Sequence, residues 1–243
     1  MGLAFVWGIV AGSSLVIGGV LAIRFRIPTT WLGLIMAFGA GVLISAVAYE
    51  LVLEGVETSA GEGGVAGGFA AGALVFFAGD WMLDHYGADK RKRSSGEQAG
   101  GSPLGIVLGI VLDGIPESIV IGLSLLEGGG VSVAVIAAVF LSNLPEAIAA
   151  TTGLTKAGWA RGRIIWLWVG IMLMTAIASL AGFGLFDGAS PSTVAFVLAF
   201  AGGAILTMLA DTMMPEAFEH GGKLVGLATS FGFAVAFILT LAE

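Results

Sequence analysis

Hydrophobic residues run along this chain in long unbroken blocks, and polar residues gather in the short stretches between them. Blocks long enough to cross a bilayer as helix fall at roughly 3–23, 31–53, 65–84, 104–126, 131–153, 162–186, 192–215 and 222–242. The pattern predicts an all-α membrane protein, with eight transmembrane segments filling one domain over residues 1–243. The one long polar stretch, about 87–103, is rich in Gly and Ser around Lys90, Arg91, Lys92 and Arg93. It reads as a flexible cytoplasmic linker.

Composition agrees with the blocks. The 243 residues are 57% hydrophobic and only 11% charged, and the mean hydropathy is +1.01, values that exclude an ordinary soluble domain. Without cysteine the chain has no disulfide and no thiolate metal ligand. The net charge of -7 argues against nucleic acid as a partner and leaves the lipid bilayer. All 10 Lys and Arg residues lie in odd-numbered connections or their flanks: Arg24 and Arg26, Lys90 to Arg93, Lys156, Arg161 and Arg163, and Lys223. The positive-inside rule then turns those connections to the cytoplasm and leaves both termini outside the plasma membrane. The stretch from Met1 to Trp7 carries no positive charge and further apolar blocks follow at once, so the first block is expected to stay as a helix. Trp31, Trp81, Trp159, Trp166 and Trp168 fall near cytoplasmic segment ends and are expected to be interfacial anchors.

The polar residues inside the blocks carry the chemistry. Segment 4 contains Asp-Gly-Ile-Pro-Glu from Asp113 to Glu117, and segment 5 contains Ser-Asn-Leu-Pro-Glu from Ser142 to Glu146. On a helix Asp113 shares a face with Glu117, and Ser142 with Glu146, while Asn143 lies one turn from Glu146. Pro116 and Pro145 cannot donate to the carbonyls of Leu112 and Leu141, so both helices should kink there and expose backbone oxygen. Three carboxylates at bilayer depth, with no basic residue in either helix to neutralise them, mark an ion site. Nearer the segment ends, Glu50, Asp80, Asp84, Asp211, Glu216 and His220 are candidates for an ion path or exit. Asp80 and Asp84, four residues apart, either belong to that exit or snorkel into water. Segments 2 and 7 also match in residue class, from Ala37 to Glu50 against Ala199 to Thr212, although they run in opposite directions through the membrane. That signals an inverted repeat, segments 1 to 3 against 6 to 8, around a central pair 4 and 5.

At these residues the chain resembles the ZIP (Zrt/Irt-like) family of divalent metal transporters. The resemblance rests on the eight segments, the two proline-glutamate strips, the Gly-rich segment 2 and the end of segment 7 from Asp211 to Glu216. It implies a 3+2+3 inverted-repeat bundle, often a homodimer, that moves zinc, iron, manganese or similar ions towards the cytoplasm. It further implies Asp113 and Glu117 as ligands from segment 4, Ser142, Asn143 and Glu146 as their partners from segment 5, and the two glutamates as bridges between two metal positions.

The chain departs from the family at particular places. Where the family has His-Asn before the first glutamate and His before the second, this chain has Asp113, Gly114 and Ser142. Gly114 offers no side chain to a second metal position. Imidazole favours zinc, whereas carboxylate, amide and carbonyl oxygens suit harder ions such as manganese or magnesium. A metal-dependent hydrolase is disfavoured, because His85 and His220, the two histidines, lie at segment ends. The rival to transport is a non-transporting metal receptor or scaffold on a degenerate transporter fold.

Overall fold

The computed structural model describes residues 2–59, 64–85, 103–126 and 132–242, which form helices joined by turns with no strand among them. In chain order α1 is Gly2–Arg24, α2 is Thr29–Ala46, α3 is Glu54–Thr58, α4 is Gly64–Asp84 and α5 is Pro103–Leu123. They are followed by α6 at Val133–Lys156, α7 at Arg161–Phe186, α8 at Pro191–Met208, α9 at Met214–Gly221 and α10 at Val225–Thr240. Among the described residues, six continuous helical stretches are long and apolar enough to cross a membrane. The outward side chains are apolar as well, with Leu74, Leu185 and Leu227 each about two thirds or more exposed at 68%, 76% and 70%. Helices that are hydrophobic all round suit lipid as solvent, and the protein is membrane-embedded.

Two joints inside these stretches were not visible in the hydrophobic pattern. α2 continues into α3 through a π-helical segment, Val47–Leu53, and α8 continues into α9 through another, Leu209–Met213. Pro215 accounts for the second, because it cannot donate to the carbonyl of Asp211 and the helix must re-register. No proline accompanies the first. The helices also outlast the apolar windows, reaching Thr58 and Gly221 instead of about 53 and 215. Glu54, Glu57, Glu216 and Glu219 end the apolar pattern there, but a helix needs only its own backbone bonds to continue.

Small residues set the packing. α10 lies along α2 and α4 lies along α8, so closely that a Cβ on Gly41 would strike the Thr229 carbonyl and one on Gly203 the Phe69 carbonyl. The contacts are reciprocal: a Cβ on Gly232 would strike the carbonyl of Phe38, and one on Gly72 that of Phe200. α1 packs along both α6 and α7, α5 packs on α7, and the two groups of helices meet where α2 lies on α6 and α8 on α5. Between lipid tails and apolar side chains there is little hydrophobic drive, so such close backbone approach supplies van der Waals energy instead.

One expectation changes and another narrows. Trp168 is no interfacial anchor: it is 1% exposed, packs on Gly19 of α1 and donates from Nε1 to Thr151 Oγ1 at 2.7 Å. Its indole N–H finds a buried acceptor, so it has no need of water. Trp31, Trp81 and Trp166 do lie outward. Asp80 is buried while Asp84 is half-buried, so Asp80 does not snorkel into water. The linker around Lys90 to Arg93 lies outside the described residues.

Candidate metal centre

α5 and α6 each run as unbroken helix through their internal proline, Pro116 and Pro145. Propagation on either side outweighs the single lost backbone bond, because the apolar surroundings offer the remaining amides no other acceptor. The predicted faces form. Asp113 and Glu117 are each 2% exposed, and Ser142, Asn143 and Glu146 are 0%, 6% and 8% exposed. All five sequence-predicted ligands are thus buried inside the protein.

Their neighbours distinguish the two strips. Asn143 and Glu146 of α6 and Gly114 of α5 line a cavity of about 20 Å³, closed by Leu15 of α1 and by Trp168 and Thr175 of α7. That is room for about one water or one small ion. A Cβ on Gly114 would meet nothing within 4 Å, so its side of the cavity is loosely packed. Asp113 and Glu117 are buried on α5 but are not part of this lining. α5 and α6 touch only over a short stretch, and among the described residues no three His, Cys, Asp or Glu side chains gather closely enough to hold a metal ion. Asp113, Glu117 and Glu146 therefore lie spread along two helices, without a common point.

Hydroxyls and carbonyls complete the surroundings. Ser142 donates to the Val139 carbonyl at 3.0 Å, and Ser118 donates to that of Gly114. Both bonds use the hydroxyl hydrogen and leave oxygen lone pairs to accept or coordinate. The Leu141 carbonyl, freed by Pro145, lies against α2, 3.3 Å from where a Cβ on Gly39 would sit. α1 presses on the same helix from another side, where a Cβ on Gly18 would come within 2.6 Å of the Leu144 carbonyl. Glycines of two helices thus flank the part of α6 that carries Ser142, Asn143 and Glu146.

The residues nearer the ends separate into different environments. Glu50, on the first π segment, accepts from Ser132 Oγ at 3.0 Å and from Thr240 Oγ1 at 2.7 Å. On α9 the His220 Nε2 and Glu216 Oε1 atoms are 3.1 Å apart, with Glu216 buried, and Asp211 on the second π segment is exposed. None of these lines the cavity beside Glu146. Thr175 was missed in the sequence. Its signal was present: Thr175 and Ser179, one turn apart, are the polar residues of the otherwise apolar run from Ile164 to Phe186.

No protein-family model matches the chain, and no curated protein matches it.

Proposed function

We propose that the chain carries divalent metal cations across the membrane towards the cytoplasm, through a carboxylate-rich path between α5 and α6, as a transporter of the ZIP kind. One observation carries the reading: Asp113, Glu117 and Glu146 are sealed inside an apolar helical protein, on two helices with no basic residue between Pro103 and Thr155. Carboxylates are rare at this depth and mark ion pathways where they occur. Together with Asn143, Ser142 and backbone oxygen they offer the oxygen ligands that a divalent cation in transit needs. Spread carboxylates suit passage better than a closed cage, because conduction requires sites weak enough to release the ion. With oxygen as the ligand chemistry, zinc and harder ions such as manganese are both substrates.

We infer an eight-span inverted repeat as its frame. Exchanging the first segment with the sixth, the second with the seventh, the third with the eighth and the fourth with the fifth maps the helix pairs onto one another. The α2–α10 contact becomes α8–α4, the α1–α6 contact becomes α7–α5, and the α2–α6 contact becomes α8–α5. The two π segments begin at Val47 and Leu209, the same spacing that relates Ala37 to Ala199.

The test is flux in proteoliposomes with zinc and manganese in competition. Saturable uptake of either ion, lost in the Glu117→Ala, Glu146→Ala double variant, is the expected result. Metal binding without flux would favour the scaffold reading and overturn this one.

A further inference from the structure

Glu50 sits where three distant parts of the chain meet. Its Oε2 accepts from Ser132 Oγ at 3.0 Å and its Oε1 from Thr240 Oγ1 at 2.7 Å, partners 82 and 190 residues away in sequence. Ser132 is also the N-cap of α6, its hydroxyl oxygen accepting from the Val135 N–H at 3.1 Å. Donating its hydrogen to a carboxylate makes that oxygen a better acceptor, so the two bonds strengthen each other. Thr240 has a second acceptor, the Ala236 carbonyl at 3.3 Å, but the bond to Glu50 is the shorter and charge-assisted one. The carboxylate also lies at the N-terminal end of α6, where the helix dipole favours negative charge.

We propose that Glu50 is a positioning residue that clamps the first turn of α6 to the π segment after α2 and to the end of α10. Glu146 stands about four turns further along α6, so the clamp sets where the strip of Ser142, Asn143 and Glu146 lies between α1 and α2. The π segment is what aims the side chain. A π turn rotates the residues within it relative to the α-helix before it, and Glu50 falls inside Val47–Leu53. The clamp itself is a matter of structure, and only its consequence for flux rests on the transporter reading.

The experiment measures amide hydrogen exchange in the first turn of α6 on the metal-free protein, in wild type and in Glu50→Ala, Glu50→Gln, Ser132→Ala and Thr240→Val. Loss of bonds to a charged acceptor should accelerate exchange at Val135 and Ile136 about tenfold or more in Glu50→Ala. Glu50→Gln keeps the length and one acceptor oxygen, and should stay within about threefold of wild type. In the Ser132→Ala background Glu50→Ala should add less than about twofold, because the one bond from Glu50 to α6 is already gone. Unchanged exchange in Glu50→Ala, or full additivity with Ser132→Ala, overturns the clamp whether or not the protein transports metal. Flux then separates positioning from ion relay. Positioning predicts that Ser132→Ala lowers zinc or manganese flux as Glu50→Ala does and that Glu50→Gln restores it. Flux lost equally in Glu50→Gln and Glu50→Ala but intact in Ser132→Ala would instead make Glu50 an ion-handling carboxylate and overturn the proposal.

Discussion

Glycine does opposite work in the flanks of this protein and at its centre. In the α2–α10 and α4–α8 pairs, a Cβ on Gly41 or Gly203 would run into a carbonyl of the facing helix, with Phe233 N at 2.8 Å and Ala73 N at 3.0 Å close behind. On α5, a Cβ on Gly114 would meet nothing within 4 Å, and Gly114 borders the cavity beside Asn143 and Glu146. The flanks use the missing side chain to bring backbones together. At the centre the missing side chain simply borders open space. Close helix pairs and the edge of a small cavity both involve one residue type, and what surrounds it decides which.

The sharpest way to test the contrast is at the carboxylates themselves. Glu117→Ala with Glu146→Ala should bring metal flux down to background while the flanks hold the fold, read by flux and by thermal melting of the same preparation. Wild-type flux in that variant would remove the central site from the picture. The glycines come next. Gly41→Ala and Gly203→Ala should each lose about 1–3 kcal/mol through overpacking, whereas Gly114→Ala should leave stability unchanged or raise it by up to about 1 kcal/mol. Equal melting shifts at all three positions would break the comparison. A subtler effect is expected at the centre alone: Gly114→Cys places a soft ligand beside Asn143 and Glu146. Preference for zinc over manganese should rise about tenfold, which is about 1.4 kcal/mol in relative binding. Competition binding reads the ratio, and the native chain contributes no background thiol. The smallest effect concerns the wall between the regions. Trp168→Phe deletes the donor to Thr151 and should cost about 1 kcal/mol of stability, with no effect if the indole were only a membrane anchor.

Much of this arrangement was legible in the residues. The apolar blocks mark α1, α2, α4, α5, α6, α7, α8 and α10, because hydrocarbon leaves a chain no way to satisfy its backbone except within itself. Asp113, Glu117, Ser142, Asn143 and Glu146 stood out for the same reason, and all are buried. Gly41 and Gly203, which hold the same place in the matched stretches of segments 2 and 7, each face a carbonyl of a neighbouring helix. Other features were hidden. Trp168 has the same sequence setting as Trp166, two residues away, yet one is enclosed and the other is 75% exposed. Position along a helix tells how deep a residue lies, but its direction around the axis depends on which neighbours pack there.

The sequence by itself determined that the chain is helical and lipid-embedded, and which polar groups are carried into its interior, since both follow from what a residue costs in hydrocarbon. Only the tertiary structure decided what those groups meet. It spread the three carboxylates along two helices instead of gathering them, turned the Leu141 carbonyl against Gly39, and brought Glu50 to Ser132 and Thr240 across most of the chain. It also inserted a π segment at Val47–Leu53 where no proline announces one. The physical reason is that transfer energies are properties of single residues, whereas contacts and helix register are set by the fit of whole helices to one another.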